Sequence, residues 1–412
     1  MEHILFYIIL TILIVDFLLE RFLDYLNSTK WSSQLPLELE GLYDAEKYQK
    51  QQSYERENHR FSLITSTFSF LLIMIMLLFS GFAFADGWLR NFTQNPILLG
   101  LLFFGLLMLV SDLLITPFDL YDTFVIEQKF GFNKTTVKTF ILDKLKGWII
   151  GAIIGGGVFA LLIWFYSVAG NLFWLYSWVL VSVVMIFMAM FYSSLIVPLF
   201  NKQTPLEDGE LRDAIKTFSD KVGFKLDNVF VIDGSKRSTK ANAYFSGLGA
   251  KKRIVLYDTL IQEMTTNEIV AVLAHEIGHY KKKHTLLSIV MSILQIGFTF
   301  YLLSFFVSNP AMSKALGSSI ASFHLGLIAF GILYTPISTV LGLLGSIISR
   351  KNEYAADRFA GEHFDAVYLI DALKKLSVKN LSNLTPHPWY VFFHYSHPPL
   401  LQRIKALKEI SK

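Results

Sequence analysis

His275, Glu276 and His279 fall within one pentad, His275-Glu276-Ile277-Gly278-His279, and no other stretch of the 412 residues offers as much chemistry. If the pentad is helical, 100° per residue sets the two histidines about 40° apart, one turn from each other on one face. Both imidazoles then reach one metal ion. Glu276, about 100° round the helix from His275, can address a water beside that ion without ligating it, the station of a general base. The chain has no cysteine, so it forms no disulfide and any metal site is built from His, Asp and Glu. One zinc ion per chain suits such a set, with an open position left for water.

A third ligand is required, and Ser349–Phe359 offers one. The run contains neither Gly nor Pro and reads as helix, which places Glu353 and Asp357 on one face at i and i+4. Glu353 completes a His-His-Glu set. Asp357, one turn on, is suited to accept the free N–H of a ligand histidine and fix its tautomer. On their own these two acids would read as a surface pair balanced by Arg350 and Arg358. His284 lies nine residues beyond His275 and points to the opposite side of an ideal helix, so it is set aside. His324, His363, His387 and His394 have no ligand spacing.

The elements that must position these residues are mostly membrane helices. Hydrophobic residues make up 53% of the chain, aromatics 15% and charged residues only 17%, with a mean hydropathy of +0.45. That balance excludes an ordinary soluble domain. Apolar runs of spanning length recur near Ile4–Leu19, Phe61–Ala85, Pro96–Thr116, Gly147–Ala169, Leu172–Leu199, Thr285–Val307 and Ser318–Ile348. The first has no basic start and no small-residue cleavage pattern, so it reads as a retained span. Lys and Arg crowd the stretches after spans one, three and five and the tail, while the alternate loops are nearly uncharged. The positive-inside rule then puts the N-terminus outside (lumenal or periplasmic) and the C-terminus in the cytosol. Net charge is only +4; basic runs such as Lys281-Lys282-Lys283 belong to solvent or lipid headgroups, not to nucleic acid.

Between spans five and six, from about Phe200 to His284, the pattern is that of a small α+β lobe. It reads as a helix over Glu207–Lys221 and strands at Val229–Asp233, Ala241–Ser246 and Arg253–Tyr257. Gly234 and Gly247–Gly249 supply turns. A helix capped by Thr266 then carries the pentad into span six. The expected organisation is a membrane domain over 1–199 and a metallopeptidase domain over 200–412. The fold class is mainly α, with seven transmembrane helices and the lobe on the cytosolic side.

His275-Glu276-Ile277-Gly278-His279 followed by Asn352-Glu353-Tyr354-Ala355-Ala356-Asp357 resembles the signature pair of the type I CAAX prenyl endopeptidases. These are integral-membrane gluzincin metalloproteases related to the HtpX-type proteases. Asn242-Ala243-Tyr244-Phe245-Ser246-Gly247 resembles the family's substrate-binding edge strand, and Ser396-His397-Pro398-Pro399 through Arg403-Ile404 resembles its His-Pro motif. Pro36–Phe61 is similar to the family's linker after the first span. The resemblance implies seven helices around a water-filled intramembrane chamber, zinc on His275, His279 and Glu353, and Glu276 as base and later proton donor. It implies that Asn242 and Tyr244 meet the peptide, that His397 stabilises the oxyanion and that Arg403 stands near the substrate. Its substrates are C-terminal CAAX peptides with a prenylated cysteine, which lose their last three residues. The tail lacks the retrieval signal common in eukaryotic members, leaving a bacterial inner membrane and an ER membrane both open. Three alternatives stand beside this one: a quality-control membrane protease without prenyl preference, a transporter with a metal site, for which Asp16 and Asp112 are the span-embedded acids, and a catalytically dead scaffold, against which the intact Glu276 argues.

Overall fold

The computed structural model describes residues 2–32, 34–35, 44–224, 229–247 and 252–410. The start of the linker (36–43), the turn at Gly249 and the last two residues lie outside this set. Among the described residues seven helices are long and apolar enough to cross a membrane: Glu2–Ser28, Ala45–Leu78, Pro96–Glu127, Val137–Val168, Gly170–Leu199, His284–Phe306 and Phe323–His363. The expected second span divides, because the chain turns through left-handed Ser80 (φ 52°) and restarts as a short helix, Gly81–Leu89. Local chemistry sets several starts. Asn95 Oδ1 accepts from the amides of Ile97 and Leu98, with Pro96 in the first turn, and Thr136 caps span four through Thr139 N.

Spans two, three, four and seven are packed at their ends and bare in their middles. No residue from 53 to 76 of span two, 104 to 125 of span three, 137 to 162 of span four or 333 to 352 of span seven is fully buried. A solid bundle would bury a stripe along every helix. These helices instead wall a hollow interior. The end far from the lobe is closed by an apolar cluster that includes Ile9, Leu77, Phe82, Leu99, Phe103 and Leu325. Within it Asp86 is bonded by His324 Nε2 at 2.7 Å and by Arg90 Nε at 2.9 Å.

At the other end the lobe is a four-stranded sheet: β1 Gln203–Pro205, β2 Val229–Ile232, β3 Ala243–Ser246 and β4 Arg253–Tyr257, in the order β1-β2-β4-β3. β2 and β4 are parallel and the other two pairs antiparallel. β1 has no counterpart in the sequence reading, since three residues ending in proline carry no alternation. Among the described residues β3 pairs with β4 on one side only, so it is an edge strand of the sheet. Three ties hold the segment leading into β3: Arg237 to Asp143 (2.8 and 3.0 Å), Lys240 to Glu127 (2.9 Å), and the Asn380 amide to both the N–H and C=O of Ala241 (3.0 and 3.1 Å). The lobe's first helix starts at Glu210 rather than Glu207, after Gly209 in an extended conformation open to glycine (φ 154°).

The pentad helix is Thr266–Lys281, and its cap is Thr265, not Thr266. The exchange is a capping box: Glu268 N donates to Thr265 Oγ1 and Thr265 N to Glu268 Oε2. Lys375 Nζ adds a third bond to Glu268, 2.7 Å long. Burial pushes the Glu268 pKa up, but Lys375 and Thr265 outweigh it and hold it below the ordinary carboxylate value. A depressed folded pKa contributes stability above the unfolded value, about 4.3, and that stability is lost as pH falls through the folded pKa. Glu268→Gln is therefore expected to cost about 1 kcal/mol near pH 7 and progressively less in acid. Thermal unfolding of both proteins from pH 7 to about pH 2 tests this; a gap that stayed equal through the acid range would show that the charge contributes nothing.

Candidate active site

Gly278 is the reason the pentad meets its third partner. A Cβ there would lie 3.1 Å from Ala356 O and 3.2 Å from Ala356 Cα and Phe359 Cβ. The pentad helix and the end of span seven thus cross almost backbone to backbone, and the side chains flanking the crossing are His275 and His279 on one helix and Glu353 and Asp357 on the other. Ligand atoms of His275, His279 and Glu353 all lie within 4.8 Å of one another. The distances are 3.2 Å between the two Nε2 atoms, 3.5 Å from His275 Nε2 to Glu353 Oε2 and 3.1 Å from His279 Nε2 to Glu353 Oε1.

The outer nitrogens explain this inward convergence. His275 Nδ1 is 2.8 Å from Asp357 Oδ1, a carboxylate that Arg403 grips through Nε (2.8 Å) and Nη2 (2.6 Å). His279 Nδ1 is 3.1 Å from His284 Nδ1. With both Nδ1 atoms as donors to those partners, both Nε2 atoms present lone pairs to each other and to a carboxylate. Glu353 Oε2 is buried with no hydrogen-bond partner. Three electron-pair donors aimed at one point, two of them buried and the third half-buried, are a cation site, and the donor set fits a metal. Without one, burial opposes charge on His275, while Asp357 and Glu353 outweigh that cost and lift its pKa to about 9.

His284 stays outside the ligand trio, as expected, but it does not point away from the site as an ideal helix would have it. The extrapolation assumed one continuous helix from the pentad into span six. The chain instead breaks at Lys283, which is left-handed (φ 61°), and span six restarts at His284. The restart swings the imidazole back against His279. No glycine or proline marks the break, so the sequence carried little signal for it.

The cluster opens into a cavity of about 480 Å³, whose lining includes Asn242, Ala243, Glu276, His284, His397 and Arg403. Glu276 is half-buried in its wall, outside the ligand trio. His397 stands at the rim, its side chain 62% exposed, with Nε2 3.3 Å from Glu353 Oε1 and Nδ1 2.9 Å from Ser396 Oγ. Asn242 enters at the head of β3, its Oδ1 accepting from Ala243 N. Two expected substrate contacts are placed differently. The Tyr244 ring turns to the other side of β3, its hydroxyl near Ser193 (3.3 Å) and Gln203 (3.4 Å), because strand residues alternate faces. Arg403 lines the cavity but is committed to Asp357 through Nη2 (2.6 Å), with Nη1 directed toward Glu353 (3.7 Å).

A hollow ring of seven membrane helices with a His-Glu-x-x-His helix crossed by a glutamate-bearing one defines an integral-membrane metalloprotease. Residues 205–411 match the family described as Peptidase family M48, and residues 25–202 match the one described as CAAX prenyl protease N-terminal, five membrane helices. The chain is 36% identical to the CAAX prenyl protease 1 of Saccharomyces cerevisiae, covering 97% of this chain and 94% of that one. It is 32% identical to the CAAX prenyl protease 1 homolog of Homo sapiens, over 93% and 90%. The crystal structure of S. mikatae Ste24p superposes with a TM-score of 0.92 at 36% identity, covering 98% of both chains. The chain belongs to peptidase family M48, in its CAAX prenyl protease branch. The transporter reading falls with that membership, and Asp112 is tied to Lys144 at 3.0 Å.

Proposed function

We propose that this protein is a zinc endopeptidase that removes the last three residues from C-terminal CAAX peptides bearing a prenylated cysteine. The observation that carries the reading is the His275–His279–Glu353 cluster facing a cavity bordered by the edge strand β3. The names of its relatives favour CAAX substrates over a general quality-control role. His275, His279 and Glu353 would hold one zinc ion, which when bound supplies Lewis-acid polarisation of the scissile carbonyl and of the attacking water.

The chain's own groups do the rest. Glu276 takes the proton of the attacking water and passes it to the leaving amine. An extended peptide adds to the edge of β3 by main-chain hydrogen bonds, with Asn242 positioning it and Tyr244 acting through its backbone. Arg403 holds Asp357, Asp357 holds the His275 Nδ1 proton, and His284 receives that of His279, so both ligand rings keep one tautomer. His397 Nε2, exposed at the rim, donates to the oxyanion. His397→Ala should keep zinc and the thermal midpoint but lose roughly 10²–10³ in kcat; turnover near wild type would reduce the His-Pro motif to a helix start.

The decisive experiment is hydrolysis of a synthetic prenylated CAAX peptide, with products weighed by mass spectrometry. Release of an intact tripeptide is expected. Cleavage elsewhere, or equal rates on unrelated unprenylated peptides, would replace the reading with a quality-control protease. The membrane domain (1–199) walls the chamber and embeds in lipid, and the remainder (200–412) carries the chemistry. We place the N-terminus outside and the C-terminus in the cytosol. Reporter fusions at Gly87 and Gly170 should read as external, and one at the C-terminus as cytosolic; an external C-terminus would move the site to the other face of the membrane.

A further inference from the structure

The catalytic cavity continues into a second one. A groove of about 390 Å³ runs between spans six and seven and shares Ser288, Ser349 and Asn352 with the lining of the metal-site cavity. Asn352 is the residue before Glu353, so the groove opens beside the ligand cluster. Beyond its polar mouth the walls are mostly apolar, with Ser292 and Gln295 as the polar exceptions. Span six contributes Leu287, Met291, Leu294 and Phe298, a stripe at helical spacing, and span seven adds Leu341 and Leu344. No residue lining it is charged. From Leu287 to Phe298 it extends about 16 Å along the helix axis, and its volume falls in the range of ordinary ligand pockets.

We infer that this groove holds the isoprenoid chain of the substrate cysteine. The inference rests on the proposed CAAX activity, and the chemistry of that reaction constrains the location. The prenylated cysteine contributes the scissile carbonyl, so its side chain must leave within a few bond lengths of the metal cluster. A peptide segment is a poor occupant, because both walls are helices whose backbone groups are already bonded internally and offer no partners to a second main chain. A chain without hydrogen-bonding groups has no such need. The other apolar cavity near the site, of about 500 Å³ and bordered by Met188, Ala189 and Tyr192, shares only Phe245 with the catalytic lining and lies on the Tyr244 side of β3.

Glycine at 345 allows a clean test. It lines the groove, and a Cβ there meets nothing within 4 Å, so a larger side chain fills the groove without forcing the backbone. Gly342 on the same helix is equally open but does not line the groove, and serves as the control. Steady-state kinetics would compare one CAAX peptide with its cysteine either farnesylated or S-methylated. Gly345→Leu should raise KM for the farnesylated peptide roughly tenfold or more and leave the methylated peptide unchanged, while Gly342→Leu changes neither. A farnesyl probe with a diazirine at its far end should label Leu294, Phe298 or Leu341 in wild type and in Glu276→Gln, and lose that label to competing farnesylated peptide. Equal slowing of both peptides by Gly345→Leu, label on Met188 or Tyr192, or label displaced only by phospholipid would overturn the assignment. If wild type cleaved neither peptide, the proposed activity would fail, and the position of the label would still decide the groove.

Discussion

Glu276→Gln should leave the metal content at about one ion per chain and reduce peptide hydrolysis by at least about 10³-fold. The amide keeps the size and shape of the side chain in the cavity wall, so the helix crossing at Gly278 and the three ligand atoms are undisturbed. What disappears is the only side chain of the pentad able to take a proton without giving up a ligand bond. Elemental analysis and single-turnover kinetics on the same preparation check both halves. Loss of metal would make Glu276 a ligand, and activity within tenfold of wild type would place the base elsewhere.

Glu353→Ala is expected to abolish both metal retention and activity, and the environment of the carboxylate explains why. Its two oxygens lie 3.1 Å from His279 Nε2 and 3.5 Å from His275 Nε2, with Arg403 Nη1 at 3.7 Å. Removing it leaves two imidazoles facing the Arg403 guanidinium with no anionic ligand between them, a poor place for a divalent cation. Asp357→Asn, which alters the partner of His275 Nδ1 and loosens the grip of Arg403 without removing a ligand, should weaken metal affinity by roughly 10–100-fold. Competition against a chelator of known affinity separates the two variants, and a Glu353→Ala protein that bound as tightly as wild type would refute the ligand set. The same measurement carries a pH dependence. With its pKa lifted to about 9, His275 is protonated at pH 7 in the metal-free protein and must release that proton to become a ligand. Metal affinity should therefore rise with pH up to about 9, with close to one proton released at pH 7. Calorimetry in two buffers of different ionisation enthalpy would read that proton directly.

The ligand set was legible because its logic is local. Two histidines at i and i+4, a glutamate between them and a second acidic pair at i and i+4 on another helix are patterns of spacing, and helix geometry converts spacing into facing. The spans were legible for a similar reason, since the length of an apolar run is itself the signal. Errors gathered where backbone conformation departs from the regular repeat. Lys283 breaks the helix in a left-handed conformation that lysine does not advertise, and His284 was misplaced as a result. Thr265 and Thr266 are adjacent and equally good caps on paper; the reciprocal bond to Glu268 selected the first.

By itself, then, the sequence determined the class of element, the number of spans and the residues that could hold a metal, because each depends on patterns of residues a few positions apart. Tertiary structure decided which groups converge. It set Gly278 against Ala356 and so brought Glu353 to two histidines some seventy-five residues earlier in the chain. It committed Arg403 to Asp357, turned Tyr244 away, brought His284 back to His279 and left β3 as an edge strand beside the cavity. Those outcomes depend on close packing between distant segments. The periodicity of either segment names a face of a helix or strand, and only the packed fold says what lies opposite it.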